Sequence, residues 1–147
     1  MKKAAISKSR KDTDKLAKSF LLEILRGKSP RAVVVGLYGE LGAGKTAFVQ
    51  SIVRELGVKR RVPSPTFVII RKYGVRSPRH RFLFHLDAYR LKSAKEIKRL
   101  GWQEIISSPE HLVFVEWPEK IRAAMPRGHR KVHIEHRRDG SRKFRFS

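Results

Sequence analysis

A chain of 147 residues with 40% apolar side chains has material for one domain and one moderate core. It carries no cysteine, which excludes disulfides and thiol chemistry, and no apolar run near the ~18 residues that take a helix across a bilayer. Its 35 basic against 13 acidic residues give a net charge of +22, which points to a polyanionic partner, most simply RNA, although a general basic bias for solubility would produce the same excess.

Met1-Lys2-Lys3 is followed by no apolar segment of the kind a secretory signal needs, so a cytoplasmic location is expected. Residues 1–11 read as a loose basic extension, and residues 12–147 as a single domain. From Asp12 to Leu25, Leu16, Phe20, Leu21, Ile24 and Leu25 form a helical stripe, with Asp12 or Thr13 as cap and Gly27 and Pro30 as the stop. Ala32-Val33-Val34-Val35-Gly36-Leu37-Tyr38 predicts a buried strand. It runs into Gly39-Glu40-Leu41-Gly42-Ala43-Gly44-Lys45-Thr46, which fits the phosphate-binding P-loop pattern without a mismatch. Beyond the loop, Phe48, Val49, Ile52, Val53 and Leu56 recur at helical spacing and Gly57 offers a left-handed stop.

Strand, glycine loop and helix in that order explain each residue type. The glycines let successive backbone N–H groups face one concavity, where they hold phosphate oxygens. The helix adds its positive end, so the amides of Thr46 and Ala47 face the inner phosphates. Lys45 supplies a point charge to the terminal phosphates, and the Thr46 hydroxyl is placed for Mg²⁺.

Downstream, Val62-Pro63-Ser64-Pro65-Thr66-Phe67 is a stiff, extended connection in which Thr66 either senses the γ-phosphate or serves as a plain turn threonine. Phe67 to Tyr73 and Phe82 to Asp87 predict two strands joined as a hairpin through a basic turn containing Pro78. Ser93-Ala94-Lys95-Glu96 is a capping-box pattern for a short helix that Gly101 stops. Leu112-Val113-Phe114-Val115 predicts a parallel strand buried on both faces, and Pro118 a short helix to about Ala124. Arg130 to His136 and Arg142 to Phe146 predict a second hairpin, turning at Arg138-Asp139-Gly140-Ser141. The fold class is therefore α/β: a P-loop domain with a mixed, mostly parallel sheet, flanking helices and antiparallel hairpins.

Ligands of open α/β sheets sit at the carboxyl ends of strands. Glu116 follows four apolar residues at such an end, a Walker-B-like carboxylate suited to Mg²⁺ or to positioning water. Asp87 closes another strand and is the second candidate, with turn formation as its plainer role. Trp117 either stacks on a base or substrate or, as the plainer reading, is a core or interface residue. His129, His133 and His136 are not expected to form a metal site, because positions 133 and 136 face opposite sides of a strand. The chain contains no asparagine, so a GTPase of the Asn-Lys-x-Asp type cannot be built and adenine nucleotides are favoured.

Four separated motifs, Gly39 to Thr46, Ser64-Pro65-Thr66-Phe67, His85-Leu86-Asp87-Ala88-Tyr89-Arg90 and Glu116-Trp117-Pro118-Glu119, together resemble the TsaE (YjeE) family. Thr13-x-x-Leu16, Gly101-Trp102-Gln103-Glu104 and Gly140-x-Arg142 add to the resemblance, which spans about residues 12–146. It implies a small ATPase required for threonylcarbamoyladenosine formation in tRNA, working with a TsaB–TsaD heterodimer and using ATP and Mg²⁺. It also implies that Lys45 and Thr46 bind phosphate and Mg²⁺, that Glu116 lies on the metal side, that Asp87 and Thr66 belong to switch regions, and that Thr13 is near the adenine. The charge of +22 is unusual for that family and suggests direct contact with tRNA. Two alternatives stay open from the residues alone: a small-molecule kinase on the same loop, and a basic RNA-binding module with a nucleotide switch.

Overall fold

The computed structural model describes residues 3–58 and 69–147, together with the backbone of Arg60–Val62. Strands β1 (Lys3–Ser7), β2 (Val33–Tyr38), β3 (Arg60–Val62), β4 (Ile70–Gly74), β5 (Phe82–Asp87), β6 (His111–Glu116), β7 (Arg130–His136) and β8 (Arg142–Phe146) form one sheet. Its order is β1-β8-β7-β2-β6-β5-β4-β3. The central pairings β7–β2, β2–β6 and β6–β5 are parallel, and every pairing outside them is antiparallel. The parallel character expected of the sheet is thus confined to its centre, where the strands are apolar enough to be covered on both faces.

Side-chain parity assigns the two layers. On one face Val35 and Leu37 of β2, Leu83 of β5, and Leu112 and Phe114 of β6 pack under α1 (Arg10–Arg26) and α2 (Lys45–Glu55), with Phe20, Phe48 and Ile52 inserted between. On the other face Val34, Phe84, Leu86, Val113 and Val115 pack under α3 (Ala94–Lys98), α4 (Trp102–Ser107) and a 3-10 segment over Pro118–Ala124. The α1–α2 pair is also held by Asp14, which accepts from Ser51 at 2.5 Å and Arg54 at 2.9 Å.

Four local expectations change. Residues 3–7, read as loose, pair with β8 in antiparallel register from Lys3↔Phe146 to Ser7↔Arg142. Helix α1 begins two residues before Asp12, because Ser9 caps it by accepting from the Asp12 amide at 3.1 Å. Gly101, at φ +81°, both ends the α3 turn and opens α4, so its left-handed backbone separates two helices. In the capping-box stretch Ser93 makes no side-chain cap, whereas Glu96 accepts from the Lys92 amide at 3.3 Å.

Candidate functional site

The P-loop leaves the carboxyl end of β2 and its backbone runs at positive φ at Gly39, Gly42 and Gly44. Gly39 is required by packing as well as by conformation, and Gly44 sits tightly against a side chain. A methyl on Gly39 would lie 2.3 Å from the Ile134 carbonyl of β7, and one on Gly44 would lie 3.2 Å from the Arg142 side chain of β8. The loop therefore rests directly on the C-terminal hairpin.

Helix α2 starts at Lys45, and the Lys45 ammonium donates to the Gly39 carbonyl and, at 3.4 Å, to that of Glu40. The same nitrogen sits 3.4 Å from the centre of the Trp117 ring. Burial lowers the Lys45 pKa against the pull of Glu116, Glu119, Asp87 and Glu40. Trp117 is the one non-glycine residue at positive φ among those described, at φ +58°, and its ring also leans on Tyr89 at 5.1 Å. That backbone turn swings the indole from the end of β6 to the lysine.

Glu116 closes β6 and is only 4% exposed. Thr46 donates its hydroxyl to both carboxylate oxygens, at 2.8 and 2.9 Å, and the His85 imidazole lies 2.5 Å from Oε2. Parity explains the convergence: His85 shares a face with Leu83, and Glu116 shares that face with Leu112 and Phe114, below the P-loop helix. Burial pushes the Glu116 carboxyl up, but the hydrogen bond and charge of His85, the Thr46 hydroxyl and Lys45 outweigh it and hold the carboxyl below its usual range. An ionised carboxylate next to a hydroxyl is a hard oxygen donor pair, which fits Mg²⁺ and not a thiophilic metal.

The structure thus brings Lys45, Thr46 and Glu116 together. Asp87 is in register with Glu116 on the neighbouring strand, but it is exposed and its Oδ1 accepts from the Tyr89 amide at 3.0 Å, a turn contact. Thr13 is buried, with its hydroxyl 2.7 Å from that of Ser7, and Ser7 is in register with Arg142. Thr66 and the stretch around it lie outside the described residues. His129 and His133 flank Tyr38, with a 2.8 Å hydrogen bond between the Tyr38 hydroxyl and His129 and ring stacking at 4.8 Å on His133. Among the described residues no group of three metal-ligating side chains occurs.

Three residues were not assigned to the site from the sequence. His85 stood there within a predicted strand and at the head of a motif, without a role of its own. Trp117 gave no hint of its left-handed backbone. Arg142 was quoted in a motif without a role, and its Nε is buried with no hydrogen-bond partner among the described residues, beside Gly44 of the loop. A buried guanidinium nitrogen left unpaired next to a phosphate-binding loop is a donor suited to an anionic ligand.

The chain is similar to known proteins of one family. Residues 7–144 match the family model described as threonylcarbamoyl adenosine biosynthesis protein TsaE. Relatives described as tRNA threonylcarbamoyladenosine biosynthesis protein TsaE include one from Rickettsia bellii, 36% identical over 122 residues that make up 82% of this chain and 78% of the relative. Another, from Bacillus subtilis, is 35% identical over 116 residues, 78% of this chain and 68% of the relative. A crystal structure of YdiB from Bacillus subtilis superposes with a TM-score of 0.73 at 25% identity, covering 99% of this chain and 84% of that one.

Proposed function

The chain belongs to the TsaE family of tRNA threonylcarbamoyladenosine biosynthesis, and from that premise we propose that it is a Mg²⁺-dependent ATPase that works with a TsaB–TsaD-like heterodimer. The observation that supports this most directly is the Thr46 hydroxyl bonded to both oxygens of the buried Glu116. The P-loop threonine and the strand-end carboxylate meet at one point, at the mouth of the phosphate cradle.

In this reading the amides of Gly42 to Ala47 hold the β-phosphate, and Lys45 exchanges the Gly39 and Glu40 carbonyls for phosphate oxygens. Gly39, Glu40 and Leu41 form the near wall of the cradle. Arg142 reaches the nucleotide from the β8 side, and Thr13 supports that side through Ser7. Thr46 and Glu116 would hold the Mg²⁺, which would supply charge neutralisation at the phosphates. His85 keeps the Glu116 carboxylate oriented, and Asp87 and Thr66 act as the switch residues that sense the γ-phosphate. Water attacks the γ-phosphorus as the bond to the bridging oxygen breaks, and ADP and phosphate leave. Lys45, the loop amides and Arg142 stabilise the spreading negative charge.

No helix of the described residues is long and apolar enough to cross a membrane, which suits a cytoplasmic role beside tRNA. The test is ATP turnover with and without the heterodimer, comparing the unaltered chain with Glu116→Ala and Asp87→Ala. Stimulation by the partner, lost in both variants, is expected. Equal rates with and without the partner would overturn the partnership, and full activity of Glu116→Ala would overturn the metal-side assignment.

A further inference from the structure

The excess of positive charge is not used by the nucleotide site. It collects, in part, at the opposite pole. Two cavities of about 530 and about 300 Å³ open at the amino ends of the parallel strands and share Gly27, Lys28, Ser29, Arg31 and Val33. Together they form a continuous trough along the entries to β2, β5, β6 and β7. The P-loop lies at the other end of β2, six residues or roughly 20 Å away at ~3.3 Å per residue.

The trough is lined by Lys28 and Arg31 from the α1–β2 loop, Arg79 from the β4–β5 turn, and Arg127 and Arg130 from the entry to β7, against Glu23 and Glu110. Arg130 is engaged by Glu23 at 2.9 Å, and Glu110 stands 3.9 Å from Arg81. Among the described residues, Lys28, Arg31, Arg79 and Arg127 form no ion pair, and all four are exposed. Arg79 donates to the Gly27 carbonyl at 3.4 Å, which ties the two loops across the trough. A further polar group is left over: His80, 5% exposed and lining the smaller cavity, has no partner for Nδ1 among the described residues.

We propose that this trough binds the phosphodiester backbone of tRNA. Its cations come from three separate loops strung along two joined cavities, an arrangement that tracks a chain of phosphates, whereas a single small anion needs donors converging on one point. Contact here leaves the P-loop open, so the same molecule holds RNA at one pole and nucleotide at the other. The inference rests on the RNA-modification role only for the choice of tRNA as ligand.

The test is fluorescence anisotropy with an end-labelled, unmodified tRNA transcript, titrated between about 50 and about 200 mM salt. The triple variant Lys28→Gln, Arg31→Gln, Arg127→Gln is compared with a control of equal charge loss on α3 and its end, Lys95→Gln, Lys98→Gln, Arg99→Gln. All six side chains are exposed, so both variants should fold. The trough variant should bind at least about tenfold more weakly at the low-salt end, and its slope of log affinity against log salt should be shallower by about 2 to 3. The control should change either quantity far less. No tRNA retention by the unaltered chain at the lowest salt, an unchanged slope in the trough variant, or an equal loss in the control would each overturn the proposal. ATP turnover measured on the same preparations separates this failure from failure of the ATPase role, because none of the six residues lies at the P-loop.

Discussion

Trp117 occupies a backbone conformation that costs an L-residue about 1–2 kcal/mol, and it does so at the junction between the sheet and the phosphate site. Replacing it by alanine and, separately, by glycine removes the indole in both cases, so whatever the ring gives Lys45 and Tyr89 cancels between the two. What remains is the backbone. At an ordinary position glycine is about 0.5–1 kcal/mol worse than alanine because of its unfolded-state entropy. At φ +58° the order should invert, since glycine escapes the left-handed penalty. Setting ~1.5 kcal/mol of relieved strain against ~0.75 kcal/mol of entropy leaves Trp117→Gly more stable than Trp117→Ala by about 0.75 kcal/mol. For a chain of 147 residues the unfolding entropy is about 0.3 kcal/mol per degree, so the glycine variant should melt about 2–3 °C higher. Thermal unfolding followed by circular dichroism, with denaturant midpoints as a second measure, resolves that difference. An alanine variant as stable as the glycine variant, or more so, would show that residue 117 carries no such strain.

Glu116→Gln keeps the shape of the buried side chain but removes its charge, so ATP turnover should fall at least about a hundredfold while stability near neutral pH drops by about 1–2 kcal/mol. The folded carboxyl lies below its ordinary 4.5, so folding favours the ionised form. Its contribution is complete above about pH 4.5 and is lost as pH falls through the folded value. The stability gap between the unaltered chain and Glu116→Gln should therefore shrink in acid, and denaturant midpoints showing a constant gap down to about pH 3 would contradict the ionised assignment. Arg142→Ala should weaken ADP binding roughly ten- to a hundredfold, as expected for a lost charge-assisted hydrogen bond, and calorimetry showing unchanged affinity would remove Arg142 from the site.

The central strands, the P-loop and both hairpins were legible because their signals are local. β2 and β6 are apolar runs, the loop is a fixed spacing of glycines, and each hairpin joins neighbours in sequence. β1 was not legible, since its Lys3, Ala4 and Ile6 are exposed and only Ser7 is buried. Its strand character comes from β8, a partner at least 135 positions along the chain in the Ser7–Arg142 to Lys3–Phe146 register. The place of Glu116 at a strand end could be read from the apolar run before it, but its contact with His85 could not, because only the parallel register of β5 and β6 puts the imidazole beside that carboxylate. Asp87 shows the converse: its position at a strand end was right, but the contact it makes in this structure is a turn to Tyr89.

The seating of the P-loop on the C-terminal hairpin bears on how the protein is made. Gly39 lies against the Ile134 carbonyl and Gly44 against Arg142, so the loop's support is synthesised about a hundred residues after the loop itself. β1 likewise waits for β8. Closing contacts so far apart in sequence is slow and late in folding. A ribosome-bound chain halted before β7 should fail to retain a fluorescent ATP analogue even with its P-loop fully emerged, whereas one extended past β8 should bind it; retention by the shorter chain would show that the loop sets without its support. Competence to bind nucleotide would then itself report that synthesis has passed the last strand.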